Sequence, residues 1–526
     1  MHAAILPSNL VSGDTSSEAT LKTVQGWIKE CTSEHSKCNE KLKEQTALPP
    51  RVIDIGLIDD EGTVKLVETA ENEKGTYICL SHCWGTAVIP IRTTLSNITS
   101  HKEGILLSAL PRTFQDALNF VRRLGLRYIW IDSLCIVQDD NDDWLLHAKS
   151  MANIYQYAHL TLAATWAEDG TVGCYSSTST YDATLLSAEN IDPSPIYYRR
   201  MLPHWWDRTT RIASYSHNSS DYPLLSRAWV FQERILSPRI LHFGKGELLW
   251  ECMENYTCEC TSSIRTFTNH PKAEHAALLH NSSNAEISKG WRQLVAWYSK
   301  LSITYASDRL PALMGIAEPM LAASPSRIIG GCWEPFLIYD ILWSSSGWAS
   351  ESGKTDSKST APTWSWMSTP YMLRYEFQNN ANVLLQATLE DIQIDQTKGI
   401  DDGFKWWALL SLSVRMIPVK LGENLSHSSS RWITPDVLSE GRHLRWFTEP
   451  DYRYWEEGPR YLKEDDRLFC VWMARFSEHV DFGLVIRCVD EKESLYERVG
   501  SVSHDLHYKL GETIEAYGKM TRITLV

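Results

Sequence analysis

The chain has 526 residues, with 65 Asp and Glu against 51 Lys and Arg for a formal net charge of −14. That length accommodates roughly two to four domains, and the acidic balance excludes a general nucleic-acid binder, which needs a basic face to neutralise phosphates. A hydrophobic share of 43% and 22 tryptophans, some in pairs such as Trp205-Trp206 and Trp406-Trp407, exclude a disordered chain and point to aromatic-rich cores or pockets.

The first stretch, "MHAAILPSNLVSGDTSSEAT", lacks the charged-then-apolar pattern of a secretory signal. No apolar run approaches the ~20 residues of a membrane helix. The expectation is a cytoplasmic protein that engages neither membrane nor nucleic acid. Residues 1–50 read as an N-terminal segment of one helix, "LKTVQGWIKECTSEHSKCNEKLKE", closed by "LPPRVIDIG". This helix carries Cys31, His35 and Cys38, and a second cysteine-rich patch holds Cys252, Cys258 and Cys260. Neither has the two paired arms of a structural zinc site. The two patches would have to combine in space to bind an ion, so the expectation is a helix with two half-buried thiols and no metal.

Residues 52–58 and 63–68 read as short strands around the turn "DDEG". "TYICLSHCWG", Thr76 to Gly85, begins as a deeply buried strand. Its end, His82-Cys83-Trp84-Gly85, reads either as a nucleophilic pair or as a packed turn. A Cys nucleophile needs an orienting group and an oxyanion site, and neighbours on a strand diverge to opposite faces. The turn reading is the expectation, with Gly85 letting backbone pass closely and Ser81, His82 and Trp84 lining a ligand crevice.

"TFQDALNFVRRLG" is a helix over 113–124, with Thr113 and Asp116 in a capping-box pattern and Phe114, Ala117, Leu118, Val121 and Leu124 on one face. "RYIWIDSLCIVQ" is a buried parallel strand. A helix over 142–157 follows, capped by Asn141 or Asp142, with Trp144, Ala148, Met151 and Tyr155 as its apolar stripe, and then the strand "AHLTLAAT". This succession implies a parallel α/β sheet built from 76–82, 127–133 and 158–164.

Residues 168–222 read as an irregular insertion, "RAWVFQERILS" as a helix, and "RILHFGKGELLWEC" as a hairpin turned at Gly244-Lys245-Gly246. Residues 253–290 read as a mobile loop. Beyond it "WRQLVAWYSKLSI", "LPALMGIAEPML" and "WEPFLIYDILWSS" read as helices. From about residue 381 the texture turns to β runs, with a loop at Ser426–Ser430. The expected division is an N-terminal segment 1–50, an α/β domain 51–260, a helical, Trp-rich extension 261–380 and a β-rich domain 381–526.

Three segments resemble the fungal heterokaryon incompatibility (HET) domain, in its order and approximate spacing: "YICLSHCWG", the block "LPRTFQDALNFVRRLGLRYIWIDSLCIVQDDNDDWLLHAKSMANIYQYAHLTLAA", and "SRAWVFQERILSPRILHFGKGELLWEC". "LPALMGIA" and "APTWSWMS" resemble segments that follow such a domain. His82 stands where Tyr is common, and His147 where an acidic residue is common. The resemblance implies a TIR-like, flavodoxin-like doubly wound parallel sheet with helical elaborations, in a protein of fungal self/non-self recognition and programmed cell death. It also implies partners of the same family or a second copy of the chain.

Many TIR domains cleave NAD at the nicotinamide glycosidic bond with a Glu that ends a Trp-x-x-x-Glu turn. Trp229 and Glu233 have that spacing, and i and i+4 share one helix face. Glu233 is thus a candidate catalytic carboxylate and Trp229 a candidate substrate-binding ring, with NAD as substrate rather than bound cofactor. The alternative for Glu233 is a salt bridge to Arg227 or Arg234. Asp132, at the end of its strand, either orients a substrate hydroxyl or holds its own loop through backbone bonds. A second functional class stays open: a HET-scaffold protein of a fungal secondary-metabolite pathway, with an apolar small-molecule pocket. A third is an oligomerisation module without turnover.

Overall fold

The computed structural model describes residue 9 and residues 11–526, apart from 41–45, 57–61, 86–90, 178–183, 187–195, 199–220, 262–264, 267–270, 281, 350–360, 376–382, 395–406, 422–430, 436–445, 452–461, 464, 478–479 and 505–509. Two compact units divide at residues 277 and 278. The expected loop at Ser426–Ser430, much of the expected insertion 168–222 and the pair Trp205-Trp206 lie outside the described residues.

In the first unit, α1 (Glu18–Glu34) starts at Ser17, whose hydroxyl accepts from the Thr20 amide. The single helix expected here breaks at His35, which is extended at φ −91°, and resumes as α2 (Ser36–Asn39). Asn39 Nδ2 holds the break by donating to the carbonyls of Cys31, Thr32 and His35, end groups that a helix leaves unpaired. Strands β1 (Arg51–Asp54), β2 (Thr63–Glu68), β3 (Tyr77–Ser81) and β4 (Ile105–Leu106) follow, with α3 (Ile98–Glu103) before β4.

Next come α4 (Arg112–Arg123), β5 (Tyr128–Ile131), α5 (Asp132–Cys135), α6 (Asn141–Gln156) and β6 (Leu160–Ala163). A small antiparallel pair, β7 (Thr184–Leu186) with β8 (Ile196–Tyr198), precedes α7 (Ala228–Leu236). The expected hairpin is β9 (Arg239–Phe243) with β10 (Leu248–Cys252). The expected mobile loop instead holds β11 (Asn255–Cys258), β12 (Arg265–Thr266), α8 (Pro271–Leu278) and the start of the next helix, because Asn255–Cys258 pairs with β10.

Ten strands form one sheet in the order β12-β11-β10-β9-β6-β3-β5-β1-β2-β4. Only β5, β3, β6 and β9 are mutually parallel. The three strands expected to be parallel, at 76–82, 127–133 and 158–164, are so, and the sheet as a whole is mixed, with antiparallel strands on both flanks. On one flank the reason lies in the connection: a short hairpin joins β9 to β10, and a hairpin imposes antiparallel pairing. The parallel strands β3 and β6 are buried at every residue, as strands covered on both faces must be.

α4 and α6 pack on these strands. Phe114, Ala117, Leu118 and Val121 from α4 share a core with Met151, Ile154 and Tyr155 from α6 and with Ile78, Leu80 and Ile129 from the sheet. The capping box expected at Thr113 and Asp116 does not form. Pro111 occupies the cap position, while the Asp116 carboxylate accepts the Cys174 and Tyr175 amides and the Thr113 amide bonds the Gly170 carbonyl. These residues hold the following loop rather than the helix start. At α6 the cap is Asp140, one residue earlier than expected. His147 is buried, and its Nε2 faces Arg51 Nη2 at 2.8 Å while Arg51 pairs with Asp143 at 2.5 Å. Burial lowers His147 to about 4, so the imidazole is neutral and accepts from the guanidinium.

The second unit opens with helices Asn284–Tyr298 and Pro311–Ala323. The third helix expected there shrinks to one turn, Leu337–Asp340, and its last residues enter the strand Ser344–Ala349. A nine-stranded sheet then runs from Leu384 to Leu525, as the β texture predicts. Its cation Arg498 is fully buried, pairs with Asp451 at 2.6 Å, donates to the Ile341 and Trp343 carbonyls, and lies 3.3 Å from the Trp343 ring centre. Among the described residues no helix is long and apolar enough to cross a membrane.

Val121 is fully buried in the α4 core. Val121→Asp leaves an unpaired charge there and should cost several kcal/mol, on the order of 3–5. Urea unfolding should show either a large loss of midpoint or an insoluble chain. A soluble variant with wild-type stability would disprove this packing.

Candidate functional site

The polar end of β3 meets the ends of its parallel neighbours. β3 stops at Ser81, so His82 and Cys83 leave the strand and its alternation. The His82 ring stands edge-on to Phe114, with centres 4.9 Å apart. Neither ring nitrogen makes a hydrogen bond among the described residues, and Nδ1 lies 3.7 Å from Asp132 Oδ1. Burial lowers the His82 pKa, outweighing the pull of Asp132, and the ring is neutral. Burial also pushes the Cys83 thiol up to about 11, the opposite of an activated nucleophile.

Trp84 Nε1 donates to Asp132 Oδ2 at 2.9 Å and so ties the turn to the end of β5. Gly85 has φ +79°, and a Cβ on it would sit 2.6 Å from Asp169 Cβ, so this backbone accepts only glycine without a shift. The motif is a packed turn, as its sequence indicates. Asp132 does hold local backbone, since Oδ1 accepts the Ser133 amide at 2.7 Å. It also fixes a charge at the edge where ligands of α/β sheets bind.

Glu233 lies on α7 at the same edge and is 7% exposed. Its Oε2 makes no hydrogen bond among the described residues. Burial raises the carboxyl to about 7. Ser81 opposes the shift, the Asp132 charge adds to it, and Arg227 and Tyr155 oppose it. The salt-bridge alternative is not what the structure adopts. Arg227 Nη1 donates to the His82 carbonyl at 2.5 Å, and Arg234 pairs with Glu251 at 2.8 Å. Glu251, fully buried, also meets His242 Nε2 at 3.1 Å and Lys272 Nζ at 3.7 Å. This network anchors α7 to β9, β10 and α8.

Ser81, His82, Trp84, Asp132 and Glu233 therefore converge. Trp229 sits one helical turn before Glu233, half-buried against the sheet core. Sequence reasoning missed Tyr155 as a site group, because its position in an apolar stripe conceals a hydroxyl that faces Glu233.

A cleft of about 370 Å³ lies elsewhere, lined by Trp27, Glu30, His35, Trp250, Asn255 and Glu259 among others. Beside it the two cysteine patches do combine: Cys31, His35, Cys38 and Cys252 bring their ligand atoms within 4.8 Å of one another. Glu247, Cys258 and Cys260 form a second group, with the two sulfurs 3.1 Å apart.

Residues 77–233 match the family model described as heterokaryon incompatibility protein (HET). A 90-residue stretch is 29% identical to heterokaryon incompatibility protein 6, OR allele, of Neurospora crassa. The match covers 16% of this chain and 13% of that relative's length. No solved structure matches the chain.

The buried carboxyl has a consequence for stability. Between its ordinary value of 4.5 and about 7, Glu233 keeps a proton in the folded chain that the unfolded chain has lost. Its contribution to stability therefore falls as pH rises through that window, by at most on the order of 3 kcal/mol. Glu233→Gln removes the titration. Urea unfolding at about pH 5 and about pH 8 should show the variant gaining relative to wild type at the higher pH. A difference independent of pH would contradict the burial.

Proposed function

We propose that this chain, which carries a HET domain across residues 77–233, is an effector of heterokaryon incompatibility that acts by cleaving the nicotinamide–ribose bond of NAD with Glu233. Three features support the reading. The parallel strands run β5-β3-β6-β9, which is second, first, third, fourth in chain order. That is the start of the flavodoxin-like order, whose ligands bind at the switch point, here between β3 and β6. Glu233 lies at that end, beside Ser81 from β3 and Asp132 from the end of β5. The observation that carries the proposal is the Glu233 carboxyl itself, buried, titrating near neutrality, with one oxygen unpaired.

The chemistry follows from charge. As the glycosidic bond lengthens, positive charge gathers on the ribose, and nicotinamide leaves as a neutral molecule. An ionised carboxylate that accepts the ribose hydroxyls and faces this charge favours the transition state over the bound substrate. Water then adds to the anomeric carbon and releases a proton, giving ADP-ribose. Trp229 offers a ring for stacking, one turn from the carboxylate. Glu233 is covered in the single chain, so turnover requires the wall to open. Association with a second copy or with a family partner supplies that opening.

Nicotinamide release is measured on the purified full chain at high concentration. Wild type should turn over. Glu233→Gln, which keeps shape and folding, should lose roughly 100- to 1,000-fold in kcat, and Cys83→Ser should retain activity. Trp229→Ala should lower both melting temperature and turnover, since deleting a large ring leaves a cavity. A wild-type chain inactive on NAD yet toxic in a fungal host would leave signalling by assembly. Activity retained in Glu233→Gln and lost in Cys83→Ser would move the chemistry to the opening motif.

A further inference from the structure

We propose that Cys31, His35, Cys38 and Cys252 bind a zinc ion that clasps the N-terminal helices to the edge of the sheet. The donor set is Cys₃His, and four protein ligands leave no open position, which is the form of a structural rather than a catalytic site. Three thiols and an imidazole favour zinc over calcium or magnesium, which take oxygen ligands.

Geometry carries the assignment. The four ligand atoms lie within 4.8 Å of one another, and Cys252 Sγ is 3.4 Å from His35 Nδ1. A tetrahedron with bonds of ~2.3 Å to sulfur and ~2.0 Å to nitrogen has edges of about 3.5–3.8 Å. The helix break explains how this closes. On one continuous helix Cys31 and Cys38 would stand about 10 Å apart along the axis, too far to share an ion. The extended His35 folds Cys38 back, and Asn39 fixes the fold by its three bonds to the end of α1. Cys252 comes from the last residue of β10, over 200 positions away.

The surroundings suit a charged thiolate centre. Arg239 Nε lies 3.2 Å from Cys31 Sγ, and the Asn255 amide donates to Cys252 Sγ at 3.4 Å. Three thiolates and a neutral imidazole around Zn²⁺ sum to one negative charge, and the buried Arg239 guanidinium balances it.

Asn255 couples two ligands at once. With thiols protonated, Cys252 donates to Asn255 Oδ1 at 3.3 Å and Asn255 Nδ2 faces His35 Nε2 at 3.3 Å. A half turn of the amide reverses both contacts. The amide N–H then donates to the Cys252 thiolate, and Oδ1 accepts from His35 Nε2–H. That tautomer frees the Nδ1 lone pair, which already points into the cluster. Asn255 is therefore a positioning residue for the ion.

The test is metal content of the full chain, purified under reductant without chelator. Elemental analysis should find about one zinc per chain. Cys31→Ser, Cys38→Ser and Cys252→Ser should each lose most of it, while Cys258→Ser and Cys260→Ser should keep it. Cobalt added to the chelator-treated chain should give the intense visible bands of tetrahedral cobalt with thiolate ligands, a readout that needs no variant to fold. Asn255→Ala should keep the bands but weaken the metal by roughly 10- to 100-fold, read by competition with a chromophoric chelator. Absence of zinc together with absence of cobalt–thiolate bands would overturn the site. So would zinc that survives the Cys31→Ser/Cys38→Ser/Cys252→Ser chain, iron in place of zinc, or a disulfide among the three cysteines in the reduced protein.

Discussion

The enclosure of β3 is the constraint on which the first unit rests. Tyr77 to Ser81 are all buried, and both strand edges are taken by parallel neighbours. A strand so enclosed offers no face to solvent, so a polar group on it costs free energy unless it finds a partner inside. Its polar residues are accordingly pushed to the end. The Ser81 carbonyl accepts the Ala164 amide, and the His82 carbonyl is taken by Arg227. The turn after β3, the first turn after β5 and helix α7 are thereby drawn to one place. Their polar groups meet because the enclosed strand leaves them nowhere else to go.

That convergence is costly. Among the described residues, Ser81 Oγ, Glu233 Oε2 and both nitrogens of His82 are buried without hydrogen bonds. Each such group costs about 1–3 kcal/mol when unpaired. A fold tolerates this where the surrounding core holds the groups in place, and Phe114, Ile78, Leu80 and Ile131 are all fully buried here. The Arg234–Glu251–His242 network does a different job. Buried ion pairs add little net stability, but they fix geometry, since any shift of α7 would strand a charge. Rigid placement of α7 is what holds Glu233 against its tendency to seek water.

The second unit reaches a related solution with different chemistry. Arg498 is buried among aromatic rings, yet its donors reach Asp451 and the carbonyls of Ile341 and Trp343. Planarity lets one guanidinium serve an ion pair, two backbone groups and a ring face together. Tryptophans at 291, 333, 343, 364, 366 and 446 are fully buried in this unit. These tryptophans serve core packing.

Local pattern was enough for much of the fold. Alternation, helical spacing and turn residues located β3, α4, β5, α6 and β6 to within a residue or two, because the helices are long and regularly patterned and the strands are short, near-continuous apolar runs between them. The turn reading of His82-Cys83-Trp84-Gly85 also followed from local rules, and Gly85 meets Asp169 as a glycine at that position should. What local pattern missed was decided at long range. Thr113 and Asp116 have the spacing of a cap but serve a loop near residue 174, since a carboxylate bonds whichever amides the fold delivers. The antiparallel flanks depend on which edge each strand reaches, a choice made by the whole sheet. Tyr155 reads as one more apolar position until α6 is laid against α7. Cys31, His35 and Cys38 look like a helical stripe, and only a break at His35 and the arrival of Cys252 from the far end of β10 turn them into a cluster. Sequence carries the energetics of neighbours along the chain; donor sets and buried charges are assembled by neighbours in space, and those exist only once the core has closed.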